Sequence, residues 1–434
     1  MPESLRSIRR PAAGGAPAFD LGYVRAGPRE ATPVLVIPGG PGLASVLPYR
    51  GLRRWAASGG LDLVMIEHRG VGRSRHDLDG RPLPPEAMRI TAVLDDIVAV
   101  LDAEGIDRAV IVGSSYGSYL AMAFGVRHPE RVASMLLDSA LQSTRDIGFE
   151  RARLRELFWD ADDDMARGVR RLIAGGVTPR VVLDIVRAAY ELGGADLVHP
   201  LLRHRPGLTW RALGAYATRD SGLPRIPGIY EFDLVGTIAF RELGYAGTPD
   251  GHPLDPALTY LPLAPGFPAF EREPYDLVAA VGAFAFPLVV LSGDRDLRTP
   301  PAIAERVAAS APDATLVRIR NGHSALDTHP LALLNAIRRL VRGQQTRLPA
   351  DEAALDRLPR KGLSASFPGL LLHVAHLDAL LRRRVLPRRA RSGDGVADAS
   401  PGRRGATGGQ AEGKVVAPRS RPRGGGHDGR ESEG

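Results

Sequence analysis

Residues 34–37, 63–66, 109–112 and 135–137 are short, continuous apolar runs rich in Val, Leu and Ile. Between them lie longer stretches with apolar residues at helical spacing, notably 90–103 and 116–126. Buried strands alternating with amphipathic helices predict a doubly wound, mainly parallel sheet. After Leu141 the rhythm changes. Segments 149–159, 164–174 and 179–192 read as helices, and 223–274, rich in Pro, Gly and aromatic residues, reads as irregular loops. The strand pattern resumes at 286–291, followed by a helix over 302–311 and a strand over 315–319. The expected organisation is a core in two parts, 1–141 and 281–343, interrupted by a mostly helical cap over 142–280. No internal repeat is apparent.

Two further segments follow the core. Residues 344–386 form an expected helical extension, in which 367–381 is an apolar helix ending at Arg382-Arg383-Arg384. Its simplest fate is packing on the core or on a second subunit; shallow attachment to an anionic membrane surface is the alternative. Residues 387–434 have almost no large apolar side chains, cannot offset their ordering entropy by burial, and are expected to be disordered.

Composition narrows the function. The 434 residues, 44% of them hydrophobic, suffice for a sizeable core plus an insertion. There is no cysteine, so disulfides, thiolate metal sites and a cysteine nucleophile are excluded. The net charge of +8 suggests nucleic acid until its distribution is followed: residues 382–434 carry 13 Arg or Lys against 6 Asp or Glu, a difference of +7, leaving +1 for all the rest. The tail also lacks the interleaved aromatics of a stacking platform, so no nucleic-acid partner is expected. Residues 1–18 lack the apolar run of a signal peptide, and no stretch approaches the roughly 20 apolar residues of a membrane span. A cytoplasmic location without a transmembrane segment is the expectation, and the oligomeric state is left open.

The chemistry is concentrated around the run Ala109-Val110-Ile111-Val112-Gly113-Ser114-Ser115-Tyr116-Gly117. A strand runs into Gly-x-Ser-x-Gly and then a helix, which places Ser115 on a sharp turn with its hydroxyl projecting from the sheet. The motif alone is weak, because many matches are ordinary loops; the flanking strand and helix make it a nucleophile elbow. Upstream, the strand at 34–37 ends in Pro38-Gly39-Gly40-Pro41-Gly42, whose backbone can present an N–H to a developing oxyanion. Gly40 is the expected donor there, and the N–H of Tyr116, just after the nucleophile, the second. Downstream, Ser292-Gly293-Asp294-Arg295-Asp296 follows a strand and offers two carboxylates, Asp294 or Asp296, as the triad acid. After the last strand, Asn321-Gly322-His323-Ser324 supplies the base, with His329 as the bland alternative. The order Ser, Asp, His is that of a sheet-based hydrolase rather than of other serine proteases.

These motifs together resemble one family. Pro38-Gly39-Gly40-Pro41-Gly42 is similar to the His-Gly-Gly-Pro-Gly loop of the proline iminopeptidase and tripeptidyl aminopeptidase branch of the α/β-hydrolases. Glu67-His68-Arg69-Gly70-Val71-Gly72-Arg73-Ser74 resembles that branch's Asp-Gln-Arg-Gly-x-Gly-x-Ser, and Gly113 to Ser118 its Gly-Gly-Ser-Trp-Gly-Ser elbow. The resemblance covers about residues 30–343. It implies an α/β-hydrolase fold and, by the position three after Gly293, Asp296 as the acid. Pro38, Glu67-His68 and Tyr116 depart from the family residues without removing a triad group or a backbone donor.

The resemblance further implies a cap carboxylate that grips a free N-terminal amine. Phe240-Arg241-Glu242-Leu243-Gly244-Tyr245 is loosely similar to the family's His-Glu-x-x-Tyr, making Glu242 the candidate; Asp160 and Asp162-Asp163-Asp164 are weaker ones, since acidic clusters are more often exposed surface. The expected function is a serine hydrolase, an aminopeptidase of proline iminopeptidase type acting on short peptides, with no metal or organic cofactor. An esterase or lactonase for a small hydrophobic metabolite is the alternative, and a non-catalytic ligand-binding module the third reading.

Overall fold

The structure, a computed structural model, describes residues 4–203, 207–217 and 225–361. The apolar helix expected at 367–381 and the arginine-rich tail lie outside the described residues.

An eight-stranded sheet forms the core. Strands β1 (Ser4–Arg10) and β2 (Phe19–Ala26) make an antiparallel hairpin, with Ile8 opposite Leu21. β2 pairs antiparallel with β4 (Asp62–Ile66). β3 (Pro33–Ile37), β4, β5 (Ala109–Ser114), β6 (Val132–Asp138), β7 (Leu288–Gly293) and β8 (Ala314–Ile319) are parallel, and the order across the sheet is β1-β2-β4-β3-β5-β6-β7-β8. The apolar runs do not reveal this hairpin, because β1 alternates Leu and Ile with Ser and Arg at the sheet edge.

Both sheet faces are covered. α1 (Arg50–Ser58), α2 (Ile90–Ala103) and α3 (Tyr116–Arg127) connect the early strands. Because successive strand residues point to opposite faces, Ile111, Met135 and Leu137 join a core with α2 and α3, while Val110, Val112 and Leu136 join a second core with α1. That double burial is why these strands read as continuous apolar runs.

The helical cap is inserted between β6 and β7. It comprises α4 (Ile147–Arg155), α5 (Asp164–Ala174), α6 (Pro179–Arg203), α7 (Leu208–Ala217) and α8 (Phe232–Arg241). Three expectations change here. The helix expected over 149–159 ends at Arg155 and widens into a π turn over Glu156–Asp160. The helix expected over 179–192 is the first part of α6: it breaks at Gly194, which is non-helical at φ 63° and ψ −157°, and a further helical stretch follows to Arg203. α8 is a buried helix inside the segment expected to be irregular; its Phe232 and Phe240 pack with Phe267 in an aromatic cluster that overrides the loop-forming composition around it. α9 (Pro301–Ser310) then packs on the α3 face and α10 (Pro330–Val341) on the α1 face.

Cap and core meet along a seam of arginines. Arg306 pairs with Asp146 at 2.5 Å, Arg75 with Asp233 at 2.6 Å, and Arg89 with Glu242 at 3.3 Å and Glu271 at 2.6 Å. The backbone of Ile229–Glu231 lies against the loop after β3: Ala44 N–H donates to Ile229 O and Glu231 N–H to Gly42 O.

Candidate active site

Ser115 sits between β5 and α3 at φ 54° and ψ −121°, a region a residue with a Cβ seldom enters, at a cost of about 1–3 kcal/mol. The neighbouring glycines allow the elbow by close approach. A Cβ at Gly113 would fall 2.2 Å from Gly117 O, and one at Gly117 2.1 Å from Ile37 O. The turn is pinned by Ser115 N–H donating to Asp138 O at 2.9 Å.

The Ser115 hydroxyl donates to His323 Nε2 at 2.9 Å, and His323 Nδ1 lies 3.0 Å from each oxygen of Asp296. Since a carboxylate can only accept, Nδ1 carries the proton and Nε2 is free to take one from the serine. Asp296 is itself held by Arg298 N–H at 3.0 Å, Thr299 N–H at 2.9 Å and the Thr299 hydroxyl at 2.8 Å. Burial pushes the Asp296 carboxyl up, but the facing His323 outweighs it and holds it below its ordinary range. Burial likewise opposes protonation of His323, and Asp296 reverses this, raising the imidazole above its ordinary value. Asp294, the other carboxylate of this loop, is half exposed, accepts Asn321 N–H at 3.0 Å and faces Arg295, not His323. His329 is buried at the start of α10 and takes no part in this line.

The histidine loop is anchored by a group the motifs did not reveal. Asp138, fully buried at the end of β6, accepts Ala325 N–H and Leu326 N–H at 3.0 Å each and the Ser114 hydroxyl at 2.8 Å. Burial raises its carboxyl to about 6 in spite of these bonds. Its only sequence signal is a carboxylate ending an apolar strand, Met135-Leu136-Leu137-Asp138.

The glycine loop after β3 lies directly against the elbow, where a Cβ at Gly39 would stand 3.0 Å from Ser115 Cβ. Gly40 has φ 118° and precedes a cis peptide to Pro41. Glu67, in place of the family Asp, secures the far end of this loop by accepting Ser45 N–H at 2.7 Å and Val46 N–H at 2.9 Å. Tyr116 begins α3, so its N–H has no carbonyl one turn earlier to bond. Its phenol is fixed by His68: Nδ1 donates to Arg69 O at 2.5 Å, which leaves Nε2 to accept from the Tyr116 hydroxyl at 3.1 Å. Burial keeps His68 neutral by pushing it down to about 4.

Glu242 lies close enough to Tyr116 for its charge to act on that phenol. It is buried beside the first turn of α2, where one oxygen accepts Ile90 N–H at 2.7 Å and the other faces Arg89 at 3.3 Å. Asp163 caps α5 through Ala166 N–H, and Asp162 and Asp164 pair with Arg167 on the cap surface. Nearer the glycine loop, the cap contributes aromatics: Tyr245 donates its hydroxyl to Gly40 O at 3.4 Å, and Tyr230 stacks on Phe232.

A serine hydroxyl hydrogen-bonded to an imidazole that is oriented by a buried carboxylate is the arrangement that makes a serine nucleophilic. Known proteins agree at the level of fold. The chain is 27% identical over 303 residues to rhodomycin D methylesterase DauP of a Streptomyces species, covering 69% of this chain and 86% of that protein. It is 26% identical over 325 residues to proline iminopeptidase of Neisseria meningitidis, covering 73% and 90%. Among solved structures, proline iminopeptidase of Mycobacterium smegmatis superimposes with a TM-score of 0.51 at 18% identity, over 79% of this chain and 99% of that one. No helix among the described residues is long and apolar enough to cross a membrane. The family model for the alpha/beta hydrolase fold matches residues 32–330, and with the sheet order and inserted cap above, the chain belongs to that family as a distant relative of its proline iminopeptidase and esterase branch.

Proposed function

We propose that the protein is a serine hydrolase that cleaves a small ester by acyl transfer to water. Ser115 attacks the carbonyl carbon while His323 Nε2 takes its proton. The N–H groups of Gly40 and Tyr116 receive the negative charge that develops on the carbonyl oxygen. The protonated His323, steadied by Asp296, then gives its proton to the leaving oxygen. A water molecule, deprotonated by the same imidazole, releases the acyl group from Ser115. The observation that carries this reading is the unbroken line from Ser115 Oγ through His323 to Asp296, at 2.9 and 3.0 Å.

The choice of an ester rests on Glu242. One oxygen of that carboxylate already accepts a helix amide and the other faces an arginine, so a substrate amine would compete with both. The aromatic cluster beside Gly40 suits an apolar acyl or alcohol portion. A second reading, an aminopeptidase of proline iminopeptidase type, is favoured by the similarity to the Neisseria protein over nearly its whole length.

A panel of acyl esters and aminoacyl amides, assayed beside labelling with an alkyl fluorophosphonate, tests both levels. Labelling at Ser115 with ester turnover is the expected result. Labelling together with turnover of aminoacyl amides alone would transfer the assignment to the second reading, and absence of labelling and turnover would end both.

A further inference from the structure

The long cap helix α6 reaches the site from above, and one of its residues touches both loops that carry the acid and the base. Glu191 is buried, its Oε1 accepts Leu297 N–H at 3.2 Å, and its Oε2 faces Arg298 Nε at 3.4 Å. Leu297 and Arg298 directly follow Asp296, and Arg298 N–H is one of the donors that orient the Asp296 carboxylate. On its other side the Glu191 backbone lies against the histidine loop, where a Cβ at Gly322 would fall 2.3 Å from Glu191 O. Three residues later α6 breaks at Gly194, against which the Arg295 side chain rests.

Glu191 is also part of a buried charge cluster. One turn earlier on α6, Arg187 pairs with Glu150 of α4 at 2.7 Å and Asp184 at 3.3 Å. Side chains with alternating charge thus run from the cap interior to the acid loop. A surface pair would not be placed this way: Glu191 and Arg187 are both nearly inaccessible, so each charge acts on its neighbours with little screening.

We propose that Glu191 is a cap-borne positioning residue for the reaction, fixing the Asp296 turn and setting, jointly with Arg298, the electrostatic field at His323. The proposal rests on the assignment of Ser115, His323 and Asp296 as the reacting groups. The charged groups that act on the imidazole include Asp296 and Arg298 from the acid loop, Glu191 from α6, and Asp138 from the end of β6. Glu191 favours the protonated imidazole and Arg298 disfavours it. Removing either charge should therefore displace the acid limb of the reaction in opposite directions, which a loss of packing alone would not do.

The test follows the rate of labelling by an alkyl fluorophosphonate against pH, in the full chain. Glu191→Gln keeps an oxygen for Leu297 N–H and removes only the charge; it should slow labelling about tenfold and move the acid limb down by about half a pH unit. Arg298→Gln should move the limb up. Glu191→Asp, which restores the charge, should return the limb toward the wild-type position even if the shorter side chain leaves the rate reduced. Limbs that stay put in both charge-removing variants, or shift in the same direction, overturn the proposal while leaving the triad intact. A wild-type protein that does not label at all overturns the triad reading on which it rests. Should Glu191→Gln fail to fold, the Arg298→Gln and Glu191→Asp limbs alone decide: an upward shift in the first and a wild-type limb in the second support the proposal, and any other pair of limbs overturns it.

Discussion

The central strands are cemented by aliphatic side chains on both faces, with Ile111 and Leu137 toward α2 and α3 and Val110 and Leu136 toward α1 and α10. The cap has an apolar core of its own, adds Leu234, Val235 and Ile238 to the sheet's core, and is further tied down by ion pairs that span long stretches of chain, such as Arg75 to Asp233 and Arg306 to Asp146. Core strength scales with buried area and hardly depends on pH or salt; strength at the seam depends on charge and geometry. The groups expected to react lie on the core side. What surrounds them, and so what selects a substrate, hangs on the seam.

The largest expected effect is chemical and confined to the core. Ser115→Ala should reduce kcat by about 10⁶-fold with an unchanged melting temperature, and retained turnover would sink the assignment of the nucleophile. Next comes Asp296→Asn, which favours the wrong imidazole tautomer and should lower kcat by roughly 10⁴-fold, whereas Asp294→Asn should cost no more than about threefold. With Asp296 present, the acid limb of kcat/KM should lie above the ordinary histidine value of about 6.5, because the neutral imidazole is the active form and its pKa is raised. A pH profile with its limb below that value contradicts the ion-pair geometry.

Stability measurements sharpen the contrast between the regions. Arg187→Ala leaves the largely covered Glu150 without its partner and should cost up to about 3–5 kcal/mol. That cost should be pH-dependent. Burial pushes Glu150 up to about 7, so between an exposed glutamate's value and pH 7 the folded state holds more protons than the unfolded chain. Stability then falls as pH rises through that interval, and the variant should suffer more at pH 8 than at pH 6. Ile111→Ala, a cavity in the sheet core, should cost about 2–5 kcal/mol at either pH. Equal pH dependence in urea unfolding of the two variants would erase the distinction.

The smallest effect is the most informative about substrate. Glu242→Gln keeps an acceptor for Ile90 N–H and loses the charge facing Arg89, so it should lower stability by about 1 kcal/mol and leave ester hydrolysis alone. A selective ten- to hundredfold loss on aminoacyl amides would instead mark Glu242 as an amine anchor and revive the peptidase reading.

This contrast also explains what the chain discloses before folding. Ala109 to Val112 must be apolar at every position because both faces are buried, so strand, elbow and nucleophile are readable together. The order of Ser115, Asp296 and His323 is readable for the same reason, each lying just after such a strand. Spacing in the loop alone leaves Asp294 and Asp296 open; the resemblance singles out Asp296, three after Gly293, and it is Asp296 that the turn at Thr299 holds against His323. α8 hides in a Pro- and Gly-rich segment because it is stabilised by packing on Phe267 and, through Leu234, Val235 and Ile238, on the sheet core, partners far along the chain. Glu191 and Asp138 carry no motif at all. A buried carboxylate that bonds the backbone of distant loops leaves no periodicity, so these supports of the site stay silent in the sequence.

The seam is made of guanidinium groups. Of the 57 basic residues in the chain only Lys361 and Lys414 are lysines. A lysine ammonium gives up its proton near about pH 10.4, whereas a guanidinium keeps its own beyond about pH 12. Bridges such as Arg75 to Asp233 and Arg306 to Asp146 therefore keep both charges in strongly alkaline solution, where a lysine-built joint would have come apart. Alkali should reach the chemistry of bound esters, through hydroxide itself, before it loosens the roof over Ser115.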